Sequence, residues 1–296
     1  MKAVTLIHNP NAGNEKHTKR KLISLIEANG YKCRYLSTTN KGWKKFNSNT
    51  DLIIAAGGDG TVRRVVKEIL KKDLEKSIPI ALLPLGTANN IKKALKISGT
   101  TEEIIASWKK AKPKKYDVGI IKGIQKTDFF LEAFGLGLFP YLLENLEKVE
   151  NKSSKTPQEE KQEALHALHR YIYEYTPLRC KIKIDNIDYS GEYLMVVIMN
   201  TNSLGPNLFL APAAKVGDGH LNVVLITEEN KEHLAKYVLK KIKNENATFP
   251  IHSIKAKKVS LAWKGMHAHA DDEQINSSHS KKIKIKIKKR LLKFLV

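Results

Sequence analysis

Apolar positions along this chain follow two periods. In the first part, short wholly apolar runs alternate with amphipathic stretches. Residues 3–8 (AVTLIH), 51–56 (DLIIAA) and 78–85 (IPIALLPL) read as buried strands, and 32–36 (KCRYL) as a shorter one. Between them, residues 15–30 read as a helix closed by Gly30, 61–72 as a second helix and 87–95 as a short one. Residues 100–111 (TTEEIIASWKKA) read as a helix capped by Thr100 or Thr101, with Glu103 placed for a capping box. Strand and helix in alternation predict a parallel sheet covered by helices.

Beyond about residue 113 the period shortens to two, in segments such as KKYDVGIIKG, CKIKIDNIDYSGEYLMVVIMNT, GHLNVVLIT and KKIKIKIKK. In the second of these, Asn186-Ile187-Asp188 reads as a hairpin turn. Alternating strands with no interleaved helices predict an antiparallel sandwich. One insert, near residues 155–176, starts polar and is expected to be mobile there. Its end carries Leu165, Leu168, Ile172 and Tyr175 at helical spacing, the mark of a core-facing stripe, with a lid as the rival reading. The expected organisation is an α/β domain over residues 1–113, joined by the C-terminal tail 290–296, and a β-sandwich over 114–289.

Composition adds charge to this picture. Fifty-two Lys and Arg against 30 Asp and Glu leave a net charge of +22 on 296 residues, which favours polyanions: nucleotides, nucleic acid or anionic lipid. A solubility surface is the plainer alternative. The two cysteines, Cys33 and Cys180, match no zinc or redox spacing and suggest a reducing compartment. The apolar run at the N-terminus is too short for a signal peptide, and no run is long enough to span a bilayer. A cytoplasmic protein that visits a membrane surface is expected.

Candidate chemistry gathers in three loops, each following an apolar strand. The sharpest is AAGGDGTV, residues 55–62, at a strand-to-helix turn. Bare glycine backbone there lets amides face a phosphate, and the helix terminus adds partial positive charge. An acid in its centre, Asp59, would repel phosphate unless a divalent cation intervenes or the acid orients a substrate hydroxyl; a helix N-cap is the structural alternative. The chain lacks G-x-x-x-x-G-K-[ST], so this is not the ordinary phosphate loop. HNPNAGN and PLGTANN follow two further strands of the same sheet, at the carboxyl ends where open α/β sheets bind ligands.

In this order and at these intervals, HNPNAG, AAGGDGTV and PLGTANN resemble the diacylglycerol kinase-type lipid kinases, which include bacterial diacylglycerol kinases and, more distantly, sphingosine and ceramide kinases. NAD kinases and phosphofructokinases share Gly-Gly-Asp-Gly but not the following Pro-x-Gly-Thr-x-Asn. The likeness continues through KKYDVGIIKG, FFLEAFGLG, NTNSLGP, VGDGHLNVVLI and HADDEQ. It implies an N-terminal Rossmann-like parallel-sheet domain that binds nucleotide and a C-terminal antiparallel β-sandwich for the lipid. It also implies transfer of the γ-phosphate of ATP, with Mg2+, to the hydroxyl of diacylglycerol or a related lipid. By the same resemblance, Asn9, Pro10, Asn11, Ala12, Gly13, Thr38, Gly57, Gly58, Asp59, Gly60, Thr61, Val62, Arg63 and Thr87 line the ATP site. Asp59 and Asp117 belong to the catalytic centre, and Glu273 matches the general base that takes the proton from the lipid hydroxyl. The implied partners are a lipid substrate at a membrane surface and anionic phospholipid, with a homodimer allowed and no nucleic acid. The implied place is the inner face of the membrane, peripherally bound.

Several positions depart from the family pattern. Asp272 stands where a turn glycine is usual, which predicts a strained φ at that residue or a shifted turn. Asn90 replaces an acid, and Arg63-Arg64 follow the Gly-rich turn either to attract phosphate or as a solvated helix start. Gly217-Asp218-Gly219 stands where some bacterial members of the family carry Asp-Asp-Gly at a structural Mg2+, so one side-chain ligand is absent and Asp218 is the remaining candidate. His267, His269 and Asp271 share one side of a strand; a polar strand face is the expected reading and a transition-metal site the rival. Two further functional readings stay open: a soluble-substrate kinase of the NAD or sugar type, and a nucleotide-binding protein without catalysis.

Overall fold

A computed structural model of the chain describes residues 1–13, 17–46, 49–75, 78–125, 127–148, 156–276 and 282–296. The polar start of the insert lies outside the described residues. The chain forms two compact units, Met1–Asp117 with Lys289–Val296, and Val118–Lys288.

The first unit alternates strand and helix in the order β1 (Lys2–His8), α1 (Lys19–Ala28), β2 (Tyr31–Ser37), β3 (Leu52–Gly57), α2 (Asp59–Lys71), β4 (Ile80–Pro84), α3 (Asn90–Leu95) and α4 (Thr101–Ser107). β2, β1, β3 and β4 lie side by side in that order, all parallel. The end of the chain's last strand adds to β4, also parallel, with Phe294 beside Ile80. Every residue of β3 is buried, because helices cover both faces of a parallel sheet. α1 starts later than its periodicity suggests: the Thr18 hydroxyl accepts from the Lys21 amide, and Gly30 at φ +86° ends the turn after it. α4 carries the predicted capping box between Thr100 and Glu103. α2 buries Val62, Val65, Val66 and Ile69, each side chain contributing about 1.5–3 kcal/mol of apolar burial.

The second unit is built from β5 (Pro113–Lys122), β6 (Phe129–Phe130), β7 (Ala133–Gly137), α5 (Leu138–Lys148), α6 (Pro157–Glu174), β8 (Leu178–Ile184), β9 (Ile187–Asp188), β10 (Gly191–Tyr193), β11 (Met195–Met199), β12 (Leu221–Ile226), α7 (Lys231–Ile242), β13 (Ile254–Ala256), β14 (Lys258–Trp263), β15 (His267–Ala270), β16 (Glu273–Asn276) and β17 (Ile283–Leu295). The chain passes between the units within β5 and within β17. One sheet of the second unit runs β10-β8-β14-β17, with antiparallel pairs throughout. The other, β13-β12-β11-β7-β15-β16, is antiparallel throughout. Cys180, Ile182, Val196, Ile198, Leu261 and Ile285 are among the side chains that fill the space between them, so this unit is a β-sandwich.

Three differences from the sequence reading stand out. Two helices, α5 and α7, stand where uninterrupted strands were expected. With α6 they cover the outer face of the second sheet, whose Met195, Val197, Met199, Val224 and Ile226 form a core with Leu165, Leu168, Ile172 and Tyr175. That face is apolar and needs a third layer; the insert stripe is part of this core. The hairpin turn falls on Asp185-Asn186, one residue before the predicted one. Both residues have positive φ (+45° and +76°), Ile184 pairs with Ile187, and short polar side chains tolerate that conformation best. At the third turn, Asp271 rather than Asp272 takes the left-handed φ (+56°).

Candidate active site

In the first unit, strand order reverses between β1 and β3, the position where carboxyl-end loops diverge and open α/β sheets hold ligands. The three motif loops meet there. The Asn9 amide donates to the Ala56 carbonyl (2.9 Å), and the Asn9 side-chain amide donates to the Thr61 hydroxyl (3.2 Å). Gly13, at φ +77°, sits so close to the β4 loop that a Cβ would lie 2.4 Å from the Leu85 carbonyl oxygen. The loops after β3 and β4 touch backbone to backbone: a Cβ on Gly86 would lie 2.4 Å from the Gly58 Cα. A side chain at Gly13 or Gly86 would collide with the main chain of the neighbouring loop, so the loops pack as bare backbone.

Thr38, at the end of β2, brings a hydroxyl to this region. Its amide donates to the His8 carbonyl (2.9 Å), while its Oγ1 is buried without a hydrogen-bond partner among the described residues. Such an orphaned oxygen is the kind of group a bound polar ligand satisfies. Burial, and next the neighbouring His17, hold the His8 imidazolium below its usual pKa. Pro10, Asn11 and Ala12 form the turn after β1, where the Ala12 amide donates to the Asn9 carbonyl (3.1 Å). Gly60, Thr61, Val62 and Arg63 open α2 behind Gly58, and Val62 and Arg63 are buried. Thr87 is exposed on the β4 loop. Arg64 is exposed, and its guanidinium donates to the Thr38 carbonyl (3.4 Å) and lies 5.3 Å from the Trp43 ring centroid.

Asp59 is the first residue of α2, whose N-cap is Gly58, so it does not cap its own helix. Its carboxylate instead accepts from the amides of Asn90 (2.7 Å) and Ile91 (3.1 Å), the first residues of α3. Asn89 precedes them in the left-handed region at φ +49°, and its side-chain amide donates to the Gly86 carbonyl. Asp59 thus clamps the PLGTANN loop to the start of α2. Asp117 is fully buried on β5, and its carboxylate accepts from the Arg290 amide (2.6 Å) where β17 turns through a left-handed residue (φ +53°). It stands in the first unit, at the start of the crossing.

In the second unit, Glu273 opens β16 and pairs with Ala270 across the two-residue turn Asp271-Asp272. The buried Asp271 carboxylate accepts from the amides of Leu131 (2.9 Å), Glu132 (2.7 Å) and Ala133 (3.2 Å), so it binds main chain in place of a cation. Asp272 is exposed. The same Leu131–Ala133 segment is held from the other direction by Asn200, whose side-chain amide donates to the Leu131 carbonyl and whose backbone amide donates to the Glu132 carbonyl (both 2.8 Å). Glu132 itself is buried, a polar site the strand pattern alone did not single out; an acid inside the apolar run FFLEAFG was its signal.

The histidine pair corrects the expected polar strand face. His269 is wholly buried against Phe139 (ring centroids 5.0 Å), and its Nδ1 donates to the Asp271 carbonyl (2.8 Å). Burial pushes its imidazolium pKa down to about 4. His267 lies 3.0 Å from a Glu144 oxygen on α5 and edge-on to Tyr141. Asp218 accepts from the His220 amide (2.9 Å) and lies 3.9 Å from the Lys255 ammonium. No group of three or more His, Cys, Asp or Glu able to hold a metal ion occurs among the described residues. With both Asp59 oxygens and the Asp271 carboxylate taken by amides, the described residues do not build a magnesium cage.

The comparisons with known proteins agree along the chain. Residues 3–121 match the diacylglycerol kinase catalytic domain, and residues 147–288 match the YegS C-terminal NAD kinase beta sandwich-like domain. A diacylglycerol kinase of Staphylococcus saprophyticus is 25% identical, over 92% of this chain and 89% of its own length. One of Staphylococcus haemolyticus is also 25% identical, over 92% and 82%. The crystal structure of a diacylglycerol kinase from Bacillus anthracis superposes with a TM-score of 0.72 at 21% identity, over 99% of this chain and 96% of that one, a likeness of fold. No helix among the described residues is long and apolar enough to cross a membrane.

Proposed function

The chain belongs to the diacylglycerol kinase-type lipid kinase family, and from that premise we propose that it transfers the γ-phosphate of ATP to a hydroxyl of diacylglycerol or a closely related lipid. The observation that carries the nucleotide half is the meeting of three loops at the sheet's reversal point, with a buried orphan hydroxyl on Thr38 and glycines packed backbone to backbone. Residues Asn9–Gly13, Thr38, Gly57–Thr61 and Thr87 would hold the triphosphate. Amides, the α2 terminus and neighbouring cations supply the positive field that phosphoryl transfer needs. Mg2+ would arrive with the phosphates, since magnesium commonly keeps most of its shell as water and phosphate oxygen.

Asp59 acts in this reading as a positioning residue that fixes the PLGTANN loop against α2. Glu273 takes the proton from the acceptor hydroxyl as its oxygen attacks phosphorus, and the bond to the ADP oxygen breaks. The test is transfer of labelled γ-phosphate from Mg-ATP to lipids in mixed micelles, with NAD and sugars as soluble acceptors. Labelled diacylglycerol or a related lipid is the expected product. Glu273→Gln should cut the rate at least ~100-fold while ATP still binds, in line with the usual worth of a general base. Asp59→Ala should abolish turnover and weaken ATP binding. Unchanged rates in both variants would overturn the reading, and label on NAD or sugar alone would move it to a soluble-substrate kinase.

A further inference from the structure

Glu273 opens β16, the edge strand of its sheet, so among the described residues only β15 flanks it within that sheet. The two strands are joined by Asp271-Asp272, and Asp271 is held at its amide, its carboxylate and its carbonyl. The amide donates to the Ala133 carbonyl (2.8 Å), and the carboxylate accepts from the Leu131, Glu132 and Ala133 amides. The carbonyl accepts from His269 Nδ1 (2.8 Å). Of these groups only the carbonyl belongs to the peptide unit that leads on to Asp272 and Glu273.

That peptide is the central one of a two-residue hairpin turn. It has two orientations, and they are what separates a type I′ turn from a type II′ turn. Type I′ needs positive φ at both central residues. Here Asp271 is at +56° and Asp272 is outside the left-handed region. Because the peptide is planar, the direction of the Asp271 carbonyl selects one of two paths into Glu273.

His269 is placed to make that selection. It is wholly buried, its ring lies against Phe139 of α5, and it pairs with Gly135 of β7. A Cβ on Gly135 would lie 2.3 Å from its Nε2, so the ring fills the space a β7 side chain would take. Donation to the Asp271 carbonyl puts the ring proton on Nδ1. Nε2 is then a bare acceptor, buried without a hydrogen-bond partner among the described residues. A phenyl ring would fill the same space without burying that nitrogen at a cost. What the imidazole adds is its bond to the turn. Burial pushes its pKa down to about 4, so the ring is neutral at neutral pH.

We propose that His269 is a positioning residue for Glu273: by holding the Asp271 carbonyl it sets the Asp271–Asp272 peptide, and with it the direction of the carboxylate that takes the acceptor proton. The proposal rests on the general-base reading of Glu273.

The test is steady-state phosphate transfer from Mg-ATP to diacylglycerol in mixed micelles, with His269→Phe and His269→Asn made in the parent and in Glu273→Gln. Phe keeps the packing and loses the donor. Asn carries its amide nitrogen as many bonds from Cβ as Nδ1 is, and leaves a gap beside Phe139. His269→Phe should lower kcat about tenfold, less than removal of the base, with the lipid KM and the ATP affinity changed less than about threefold. His269→Asn should bring kcat back to within about threefold of the parent, although its cavity makes it melt below His269→Phe. In Glu273→Gln, His269→Phe should cost less than about twofold further, because the two residues act as a unit. A tenfold loss in both backgrounds would overturn the proposal, as would a parent rate in His269→Phe. So would rates that follow the melting temperatures of the two variants. If His269→Phe does not fold, Gly135→Ala pushes the same ring aside and takes its place in both backgrounds. A parent rate in Glu273→Gln itself would instead remove the general-base reading, and that result is read without the His269 variants.

Discussion

Asp59 and Asp271 occupy comparable places in two different units. Asp59 opens a helix and Asp271 sits in a two-residue turn, and each spends its carboxylate on main-chain amides. Asp59 holds the first two amides of a helix and is only half-buried, at the open edge of a parallel sheet. Asp271 is buried and holds three successive amides of an irregular segment in a sandwich. The first arrangement fixes one loop and leaves Gly58, Gly60 and Gly86 partly exposed beside it. The second closes a gap in the protein's own hydrogen bonding. An acid in a motif is thus not by itself a metal ligand or a catalyst. What its oxygens already hold decides how much chemistry remains available.

The most direct way to break this comparison is to remove both acids. Asp271→Ala strands three buried amides and should cost about 4 kcal/mol of stability, at the usual 1–3 kcal/mol for each unsatisfied group. Asp59→Ala should cost less, about 2 kcal/mol, because water can replace the carboxylate at a half-exposed helix start. Denaturant melts of the two variants measure the difference, and equal losses would erase the distinction between a clamp and a poised loop.

Next in size is the acid response of the Asp271 turn, through the histidine that donates to it. His269 has its pKa lowered to about 4 in the folded chain, against 6.5 as the ordinary value. Between those values the unfolded chain binds a proton that the folded chain refuses. The stability is present in full above pH 6.5 and is lost as pH falls toward 4, by on the order of 3 kcal/mol. His269→Gln should flatten the melting temperature over that window. A slope as steep as in the parent protein would show that other groups carry the acid response.

The smallest effect sharpens the comparison with a third acid. Asp185 also sits at positive φ and also holds two main-chain amides, those of Lys257 and Lys258, but on an exposed hairpin. Replacing its neighbour, Asn186→Gly, relieves a left-handed asparagine and should add about 0.5 kcal/mol. A loss on thermal melting would mean that the Asn186 side chain makes a contribution beyond its φ.

Much of the fold was legible in local pattern. The wholly apolar runs of β1, β3 and β4 announced a sheet covered on both faces, and Thr100 with Glu103 announced the start of α4. The stripe from Leu165 to Tyr175 announced a helix with a buried side. Less was legible where two signals overlap. α7 carries Leu234, Tyr237 and Val238 at helical spacing, yet it lies among strands, and β-rich surroundings masked it. The left-handed φ of the β15–β16 turn falls on Asp271 rather than Asp272, and from there the Asp271 carboxylate accepts from three amides that are remote along the chain. Of the site, Asn9, Gly13, Gly58 and Asp59 were readable because bare backbone and short polar side chains leave a mark in the sequence. Glu132 left only the trace of an acid in an apolar run and Asn200 left none, because their burial depends on β7 and β11 being neighbours.

The sequence by itself determined the two periods, the strand-helix alternation of the first unit, the glycines of the three motif loops and the excess of positive charge. Each of these is a property of neighbouring residues or of a sum over the chain. The tertiary structure alone decided which amides Asp59, Asp117 and Asp271 hold, and that Arg179, Lys183, Lys258 and Lys284 share one open face. Those residues are far apart along the chain, and only strand register and loop packing bring their charges and donors within reach of one another.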